Sequence, residues 1–306
     1  MTPTSQPRRT RRDPERPHFN ALEPPIIVVH GGVRGKPLEE ALDLIDAVIA
    51  ARSASDALDA VERAVVALEN HPRLNAGMGA VLARDGRLSL DAGIMDGSSG
   101  DAGGVAGVTV RHPVTLARIV LSTTPHVLMI GEGAMELAGD MEVLTGSTTH
   151  QQERWQQTVA AGGFDPALFG TDDYVDTVGA VALDARGRLA AAVSTGGLFG
   201  KPKGRVGDSC IPGAGFYANG AAAVVATGLG EAFLRSSGCL RTALDIEQGL
   251  HPQDACEKNV LHLAETNDSS AAILAIDADG RVGAAFRGGS WPLCRSGHPL
   301  QPVRLR

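Results

Sequence analysis

The feature that most constrains the fold is a hairpin pattern, in which two apolar runs are joined by a short turn that contains Asp and Gly. The segment "TVGAVALDARGRLAAAVSTGG" (177–197) shows it, with Asp-Ala-Arg-Gly as the turn. The same pattern recurs in "IDADGRVGAAF" (276–286) and in "LARDGRLSLD" (82–91). Apolar runs paired around such turns are typical of antiparallel strands. We therefore predict a large amount of antiparallel sheet.

Helical patterns lie between these groups of strands. Apolar residues recur at i, i+3, i+4 and i+7 in 38–50 and 55–70, which predicts two amphipathic helices, the second capped by Ser55. Other segments are typical of strands at 24–32, 86–97 and 102–110, of helices at 112–125, 230–248 and 252–265, and of a strand leading into a helix at 126–138. This order of elements favours an α+β sandwich over a parallel, doubly wound sheet.

The stretch 139–176 lacks this periodicity. It is polar, contains Gly and Pro, and has the composition of an exposed, flexible linker with one helical turn around Gln151–Val159. A segment of this length without structure is unusual inside a compact domain and is commonly functional or cleavable. We therefore predict an accessible linker that leads directly into the hairpin at 177.

Composition excludes several classes of protein. Hydrophobic residues make up 43% of the 306 residues and charged residues 21%, as in a globular protein. The formal net charge of −7 argues against a nucleic-acid partner, and no apolar run reaches the roughly 18 residues of a membrane span.

Residues 1–23 are rich in Arg and Pro and lack the apolar stretch of a secretion signal, which predicts a disordered tail or, alternatively, a weak anion-contacting arm. The cysteines show neither CxxC spacing nor zinc-finger spacing, which favours reduced thiols and a cytoplasmic location. They are Cys210, Cys239, Cys256 and Cys294.

The linker ends at an acidic residue, Asp176, that stands directly before Thr177. A loop-ending Asp followed by a strand-starting Thr is, by itself, ordinary. A threonine hydroxyl is a weak nucleophile at neutral pH and needs a nearby base. Cleavage between the two residues would give Thr177 a free α-amine, whose pKa of about 7.7–8.0 suits proton transfer near neutrality. The pair is therefore a candidate cleavage site, with Thr177 as the candidate nucleophile.

Two segments that follow carry groups that such a nucleophile would need. "AVSTGG" places Thr195 at the end of the partner strand of the hairpin, where its hydroxyl could lie beside that of Thr177. "GRVGDS" (204–209) places Arg205 and Asp208 in a glycine-rich loop. An Arg can bind a carboxylate through two hydrogen bonds and an Asp can bind an ammonium group, so the pair could hold an amino-acid backbone, although two residues at this spacing are more often a surface pair.

A third segment, "ATGLGEAF" (226–233), places a hydroxyl and two glycines directly before a predicted helix. Backbone N–H groups at the start of a helix are good donors to an oxyanion. The same pattern is also that of a plain glycine turn, so it carries weight only in combination with the others. The residues concerned are Thr227, Gly228 and Gly230.

Taken in order, the motifs of this chain resemble those of the plant-type L-asparaginases, also called isoaspartyl peptidases, of the N-terminal-nucleophile hydrolase superfamily. The resemblance covers about residues 24–290. It depends on "HGG", "NAGMGAVLARDG", "LDAGIMDG", "AGGVAGV", "HPVTLAR", "PHVLMIGEGA", "TVGAVALD", "STGG", "GRVGDS", "PGAGFYAN" and "TGLGEAF".

The resemblance implies a four-layer αββα sandwich, with two antiparallel sheets covered by helices, formed by 24–306 as one domain. It implies autocleavage after Asp176 into an α subunit (24–176, including the linker 139–176) and a β subunit (177–306), and a dimer of these αβ units. The implied activity is hydrolysis of L-asparagine to L-aspartate and ammonia, and of β-aspartyl dipeptides, with no cofactor needed for the chemistry.

The resemblance also assigns roles to single residues. Thr177 matches the nucleophile, and Thr195 matches a second active-site threonine. Arg205 and Asp208 match the residues that hold the α-carboxylate and the α-amino group of the substrate. Thr227 and Gly228 match the oxyanion hole, and Gly230 matches a further contact to the amino end of the substrate. Asn75 matches an asparagine that lies close to the nucleophile. A loop that binds sodium through backbone carbonyls corresponds to Leu68, Glu69, His71, Leu74, Ala76 and Met78; His30 and His71 are then structural rather than catalytic.

The chain departs from the family at two positions. Asp176 stands where the family usually has Gly, as in the related glycosylasparaginases and threonine aspartases, and Leu229 is bulkier than the small residue common at its position. The alternatives are therefore cleavage of the glycan–asparagine link and an uncleaved, non-catalytic scaffold. A threonine aspartase is less favoured, because Asp208 suits a free α-amine, which an internal residue of a peptide lacks.

Overall fold

The computed structural model describes residues 24–33, 41–165, 176–266, 270–295 and 298–305. The predicted tail 1–23 and the predicted linker residues 166–175 lie outside these ranges. The strands are β1 (Ile26–His30), β2 (Leu90–Asp96), β3 (Ala102–Val108), β4 (Leu128–Ile130), β5 (Val178–Leu183), β6 (Leu189–Thr195), β7 (Phe216–Ala218), β8 (Ala222–Gly228), β9 (Ala271–Asp277), β10 (Val282–Arg287), β11 (Leu293–Arg295), β12 (His298–Leu300) and β13 (Val303–Arg304). The helices are α1 (Ala41–Ala51), α2 (Ala57–Glu69), α3 (Pro113–Thr123), α4 (Gly131–Glu136), α5 (Thr149–Ala160), α6 (Gly230–Ser236), α7 (Gly238–Glu247) and α8 (Pro252–Thr266).

The strands form two sheets. One has eight strands in the order β12-β11-β1-β5-β6-β2-β3-β4, and the other has five in the order β13-β10-β9-β8-β7. Neighbouring strands are antiparallel except for β3–β4 and β10–β13, which are parallel edge pairs. The two sheets predicted to be antiparallel are therefore mixed at these edges. Strand β4 follows β3 through helix α3, and a helical crossover returns the chain in the same direction.

Two sheets and two groups of helices make four layers. Helices α1, α2 and α3 pack on the outer face of the eight-stranded sheet, and α7 and α8 pack on the outer face of the five-stranded sheet. Side chains alternate along β1, so Ile26 and Val28 face the other sheet while Ile27 and Val29 face the helices. The predicted α+β sandwich is confirmed, because each sheet buries one face against a sheet and the other against helices.

Two of the three predicted hairpins are present, as β5–β6 and β9–β10. In the first turn, the carboxylate of Asp184 accepts hydrogen bonds from the backbone N–H groups of Arg186 and Arg188 and pairs with the Arg188 guanidinium at 2.7 Å. Asp277 makes the corresponding bonds to Asp279 and Arg281 in the second turn. This explains why the turn pattern in the sequence combines Asp, Gly and Arg.

The third predicted hairpin, 82–91, was wrong. Its turn forms, with the Ala83 N–H donating to the Arg87 carbonyl at 2.9 Å. The backbone of 82–84 pairs with another loop instead: Gly200 N–H donates to the Leu82 carbonyl and Arg84 N–H to the Lys201 carbonyl, both at 2.9 Å. Only the final residues of the segment, from Leu90, enter a strand.

Two helix predictions also need correction. Asp56, not Ser55, caps α2, and its carboxylate accepts from the Asp59 N–H at 2.9 Å. The single helix predicted at 230–248 is two helices, α6 and α7, separated at Ser237, whose φ of 52° is left-handed. One residue in that conformation ends the backbone hydrogen bonding of the first helix.

The described part of the predicted linker is more ordered than its composition indicates. Helix α5 spans Thr149–Ala160, which is three turns rather than one. The indole N–H of Trp155 donates to the Ala83 carbonyl at 3.0 Å, and the guanidinium of Arg154 lies 3.9 Å from the centre of the Phe199 ring. Through these two contacts, helix α5 packs against the two loops that begin after Val81 and after Gly197.

Among the described helices, none combines the length and the apolar character that crossing a bilayer requires.

The ends of several strands meet at one edge of the eight-stranded sheet. Strand β1 ends at His30, which pairs in register with Gly179 at the start of β5. Strand β6 ends at Thr195, which pairs with Asp91 at the start of β2. On the facing sheet, β8 ends at Gly228. This convergence brings together segments that are distant in sequence, and Thr177 lies at its centre, one residue before β5.

Candidate active site

The carbonyl group of Asp176 is held by two side-chain donors. The amide Nδ2 of Asn75 donates to its oxygen at 3.0 Å, and the hydroxyl of Thr195 donates to it at 2.8 Å. Asn75 is itself fixed, because Nδ2 also donates to the Gly197 carbonyl at 2.9 Å and Oδ1 accepts from the Val81 N–H at 2.9 Å. A carbonyl with two fixed donors is polarised and ready to carry negative charge on its oxygen.

Thr177 is nearly buried behind this carbonyl, with 5% of its surface exposed. It was expected to have the Thr195 hydroxyl beside its own. The Thr195 hydroxyl instead donates to the carbonyl of Asp176, the residue before Thr177. The oxygen of the same hydroxyl accepts from the Gly197 N–H at 2.9 Å. The structure therefore places Thr195 on the peptide bond that joins Asp176 to Thr177.

The side chain of Asp176 lies against a bare stretch of backbone at Gly32. A Cβ atom on Gly32 would coincide with the Asp176 carboxylate, and φ at Gly32 is +93°. Both the space and the backbone conformation require glycine here. The last glycine of the "HGG" motif thus accommodates the acidic residue that precedes Thr177.

His30 lies below the same peptide. Its imidazole is fully buried, with Nε2 packed against Gly179 and the ring centre 5.7 Å from that of Trp291. Burial lowers the pKa of His30 to about 3, and a contact with the Thr177 backbone opposes this only in part. The imidazole is therefore neutral at pH 7, which agrees with a structural role.

Arg205 reaches the site, and one edge of its guanidinium is already occupied. Nε and Nη2 donate to the two carboxylate oxygens of Glu231 at 3.0 and 2.9 Å. Nη1 lies close to Gly197 and Gly207, both of which line the site cavity. The bidentate pair thus aims the remaining N–H groups of Arg205 at the cavity. Burial favours the neutral acid at Glu231, yet its hydrogen bonds and attraction to Arg205 leave its pKa below the usual value.

Asp208 lies on the same wall and is 5% exposed. Burial raises the pKa of its carboxyl to about 6, and the positive charge of Arg205 limits the rise. Its Oδ1 lies 2.7 Å from the point that a Cβ on Gly230 would occupy. Gly230 therefore lets the acid approach the start of α6, and the acid is close to half-ionised at a pH near 6.

Strand β8 brings the predicted oxyanion residues to the cavity. Gly228 has φ of +130°, and a Cβ there would strike the Ser270 backbone, so only glycine fits. The hydroxyl of Thr227 is buried and has no hydrogen-bond partner among the described residues. Such a hydroxyl is costly unless a ligand satisfies it. Gly228 lines the site cavity, whereas Thr227, the preceding residue of β8, is not part of the lining.

The remaining space is small. The cavity at this site has a volume of about 10 Å³, the size of one water molecule. It is too small for an amino acid while Asp176 remains joined to Thr177. Its lining contains the predicted residues Asp176, Thr177, Thr195, Arg205, Asp208, Gly228 and Gly230, together with Gly197, Leu198 and Gly207, which were not predicted; the predicted Asn75 and Thr227 are not part of the lining.

The loop predicted to bind sodium contains Asn75. The carbonyl oxygens of His71 and Leu74 crowd around Gly79, so that a Cβ atom there would strike both. The carboxylate of Glu69 is fully buried, where it accepts from the Val114 N–H at 3.0 Å and contacts His112 Nδ1 at 3.2 Å. Burial raises the pKa of Glu69. The loop thus presents carbonyls, while the Glu69 side chain is used to hold the start of α3.

Sequence reasoning missed two charged residues near the cavity. Glu231 stands within the quoted "TGLGEAF" motif and could have been found as the acid nearest to the predicted oxyanion residues. Lys201 had no signal in the sequence. Its Nζ lies 3.4 Å from Oδ2 of Asp91, and both side chains are almost fully buried. Residue spacing could not have paired two positions so far apart in the chain.

The same residues lie within a region that resembles known proteins. The sequence model of a family described as asparaginase matches residues 26–291. An isoaspartyl peptidase of Salmonella typhimurium is 43% identical over 205 residues, which are 63% of this chain and 66% of that protein. A plant-type L-asparaginase of Pyrobaculum calidifontis is 41% identical over 202 residues, which are 63% of this chain and 68% of that protein. An N(4)-(β-N-acetylglucosaminyl)-L-asparaginase of Elizabethkingia miricola is 35% identical over 186 residues, 57% of this chain and 54% of that protein. This chain therefore spans about two thirds of the length of the first two relatives and about half of the third.

Proposed function

Because the chain belongs to the asparaginase family, we propose that it is a self-cleaving threonine amidohydrolase. Its reactions are hydrolysis of L-asparagine to L-aspartate and ammonia, and cleavage of β-aspartyl dipeptides. The observation that carries the proposal is the Asp176 carbonyl, which receives hydrogen bonds from Asn75 and Thr195 in the cavity that Thr177, Arg205 and Asp208 also line.

The first step proposed is cleavage of the Asp176–Thr177 peptide. The Thr177 hydroxyl attacks the Asp176 carbonyl carbon, and negative charge develops on an oxygen that already has two donors, Asn75 and Thr195. The C–N bond breaks as the hydroxyl proton passes to the nitrogen, which leaves an ester and a free α-amine on Thr177. Water then hydrolyses the ester. The products are a new carboxylate at Asp176 and an N-terminal threonine.

The same cleavage prepares the substrate site. The cavity of about 10 Å³ cannot hold asparagine, and departure of Asp176 from Thr177 would enlarge it. We place the α-carboxylate of the substrate on the free N–H groups of Arg205 and its α-ammonium group on Asp208. The amide carbonyl then points toward the Gly228 N–H, and the unsatisfied hydroxyl of Thr227 supports a ligand at this wall.

Turnover follows the chemistry of a nucleophile with its own base. The α-amine of Thr177 accepts the hydroxyl proton as the oxygen attacks the side-chain amide carbon of the substrate. The C–N bond breaks, and the proton leaves with ammonia or with the amino acid of a β-aspartyl dipeptide. Water hydrolyses the resulting acyl-threonine ester and releases L-aspartate. No step requires a cofactor.

We further propose that the loop from Leu68 to Met78 binds a sodium ion. The crowded carbonyls of His71 and Leu74 fit a hard alkali cation, which prefers oxygen ligands. Backbone oxygens of Leu68, Glu69, Ala76 and Met78 would complete the set. The ion would keep the loop in place, and Asn75 lies within that loop, so its contribution is to position a donor rather than to take part in bond breaking.

Assembly and location belong to the same proposal. A dimer of cleaved αβ units would cover the edge strand β4, where Leu128 is 40% and Ile130 62% exposed. Cys210, Cys239 and Cys256 are buried free thiols, which supports a reducing compartment such as the cytoplasm.

A glycosylasparaginase is the second candidate. Asp176, packed on Gly32, favours it, because an acid at this position is typical of those enzymes rather than of the plant-type group. Its substrate also has a free α-amino and α-carboxyl group, so Arg205 and Asp208 suit both candidates.

A side-by-side assay of the purified, self-cleaved protein tests the proposal. L-asparagine, β-aspartyl-leucine and a glycosyl-asparagine are compared at equal concentration, with intact mass to determine cleavage. We expect two chains that divide between Asp176 and Thr177, with turnover of the first two substrates. Turnover of the glycosyl substrate alone would favour the second candidate, and an intact chain without turnover would favour a scaffold.

A further inference from the structure

Lys201 is a buried cation that the proposed reaction does not use. Its side chain is 2% exposed, and its single ion-pair partner among the described residues is Asp91, at 3.4 Å. Asp91 is also fully buried, and its other oxygen accepts from the Gly107 N–H at 3.0 Å. Taking two charges out of water is costly, and an apolar pair of the same volume often stabilises a protein equally well. The position of this pair therefore calls for a reason other than stability.

The ammonium group lies directly behind the wall of the site cavity. Nζ of Lys201 is 2.8 Å, and Nη1 of Arg205 is 3.3 Å, from the point that a Cβ on Gly197 would occupy. Gly197 itself lines the cavity. Its carbonyl is held by Asn75, and its φ of +76° suits glycine. Two positive charges thus converge on a single glycine that borders the substrate space.

Acidic side chains surround this point, so the positive charge of Lys201 is important for binding a carboxylate group there. Glu231 binds the Arg205 guanidinium, the Asp91 charge acts on Asp208, and Asp91 pairs in register with Thr195 beside the cavity. Burial lowers the pKa of Lys201, the Asp91 charge raises it, and the Arg205 charge lowers it further. Without the ammonium group, the Asp91 charge would be uncompensated and would repel an anionic substrate.

We propose that Lys201 is a positioning residue for the α-carboxylate of the substrate, acting from behind Gly197. Its ammonium group, held by Asp91, neutralises that buried acid and adds a second positive charge behind the Arg205 site. The inference depends on the proposed function, because it requires a substrate with an α-carboxylate. It assigns to Lys201 an effect on substrate affinity and none on bond breaking.

The size of the effect follows from Coulomb's law. Unit charges about 7 Å apart at an effective dielectric constant of about 20 attract strongly enough to change binding roughly 50-fold. The opposite charge of Asp91 cancels part of this attraction. We therefore expect loss of the ammonium group to raise KM for L-asparagine about tenfold, with kcat within twofold of the wild type.

Three variants separate charge from packing. The double variant Lys201→Met with Asp91→Asn removes both charges and leaves no buried ion unpaired. Lys201→Arg retains the positive charge. Asp91→Asn alone would leave the buried Lys201 without its counter-ion and favour its neutral form, so the two substitutions are made together. The matched control is Arg281→Met with Asp277→Asn, which removes an ion pair in the β9–β10 turn, at the far end of β9 from Gly228.

The experiment measures KM and kcat for L-asparagine and the inhibition constant of L-aspartate, normalised to the amount of cleaved chain. The expected result is a KM and an inhibition constant that both rise about tenfold in the double variant and stay within twofold of the wild type in Lys201→Arg, with the control unchanged. An active double variant with unchanged KM would overturn the inference. So would an active Lys201→Arg variant whose KM rises about tenfold although it keeps the positive charge, which keeps the idea testable even if the double variant does not fold. A wild-type protein that hydrolyses neither L-asparagine nor β-aspartyl-leucine would instead refute the proposed function.

Discussion

The side-chain amide of Asn75 donates a 3.0 Å hydrogen bond to the carbonyl oxygen of Asp176, a residue that is 101 positions away in sequence. The same oxygen accepts from Thr195. The two donors are in place before any bond is broken, so the chain carries a preformed site for charge on that oxygen.

Asn75→Ala should slow self-cleavage, because it removes one of these two donors. Removing one oxyanion donor typically costs about 100- to 1,000-fold in rate. The measurement is the time course of intact mass after purification of the uncut chain. Gln156→Ala, on the exposed face of α5, is the control and should cleave at the wild-type rate. An Asn75→Ala chain that is fully cut as fast as the control would contradict the role of this contact.

Thr177→Ala should give an uncut chain without activity, because it removes the attacking oxygen while the strand that follows can still form. Thr177→Ser retains a hydroxyl and should cleave, more slowly. Mass spectrometry and an ammonia-release assay are the two measurements. Thr123→Ala, at the exposed end of α3, controls for the loss of a threonine side chain. Normal processing of Thr177→Ala would show that another residue attacks the peptide.

Glu231→Gln should raise KM for L-asparagine about tenfold with little change in kcat. The substitution weakens the bidentate pair that directs Arg205 toward the cavity, so the guanidinium loses its fixed orientation. Steady-state kinetics on the cleaved protein is the test. Glu132→Gln, in the exposed first turn of α4, should behave as the wild type. If KM stays constant, Arg205 does not depend on Glu231 for its position.

Asp208 should make substrate capture dependent on pH. Its carboxylate must be ionised to bind an ammonium group, and burial raises its pKa to about 6 in the folded protein. The α-amine of Thr177 must also be unprotonated, so kcat/KM should fall about tenfold per unit below about pH 7.7 and about 100-fold per unit below pH 6. Asp208→Asn should lower kcat/KM at pH 7 and remove the steeper fall below 6, and a wild-type slope that does not steepen between pH 7 and 5 would contradict the assignment.

The same shift predicts a gain in stability from Asp208→Asn. A carboxyl whose pKa is raised in the folded state stabilises the protein while protonated, and that stability is lost as pH rises through about 6. At pH 7 the uncharged variant should therefore gain up to about 3 kcal/mol in the free energy of unfolding. Denaturant unfolding at pH 5 and pH 7 checks the sign, since the gain should shrink at the lower pH.

Trp155→Ala should detach α5 from the loops beside the site. The indole donates to the Ala83 carbonyl and packs on Gly86, so its loss should cost about 1–3 kcal/mol and expose 147–165 to protease. Limited proteolysis and thermal unfolding measure this. Gln156→Ala, the next residue on the helix, should change neither. Equal protease resistance in both variants would mean that other contacts hold the helix.

Local patterns in the sequence were sufficient for most of the elements. The Asp-x-x-Gly-Arg turns were found because Asp184 and Asp277 bond to neighbours within four residues, and such bonds depend on sequence alone. The candidate nucleophile was found for the same reason, since Asp176, Thr177 and the following apolar strand are adjacent. Segment 82–89 and helix α5 were misjudged because their backbone and side-chain partners, Gly200, Lys201 and Phe199, lie in a distant loop.

The tertiary structure alone decided how the charges are shared. Spacing predicted that Arg205 and Asp208 act together, but it could not show that Glu231 takes one edge of the guanidinium or that burial moves the pKa of Asp208 to about 6. Nor could it pair Lys201 with Asp91, which meet only because β2, β6 and the loop after β6 pack side by side. Residue chemistry is a local property, whereas burial and electrostatic fields depend on what the fold brings close.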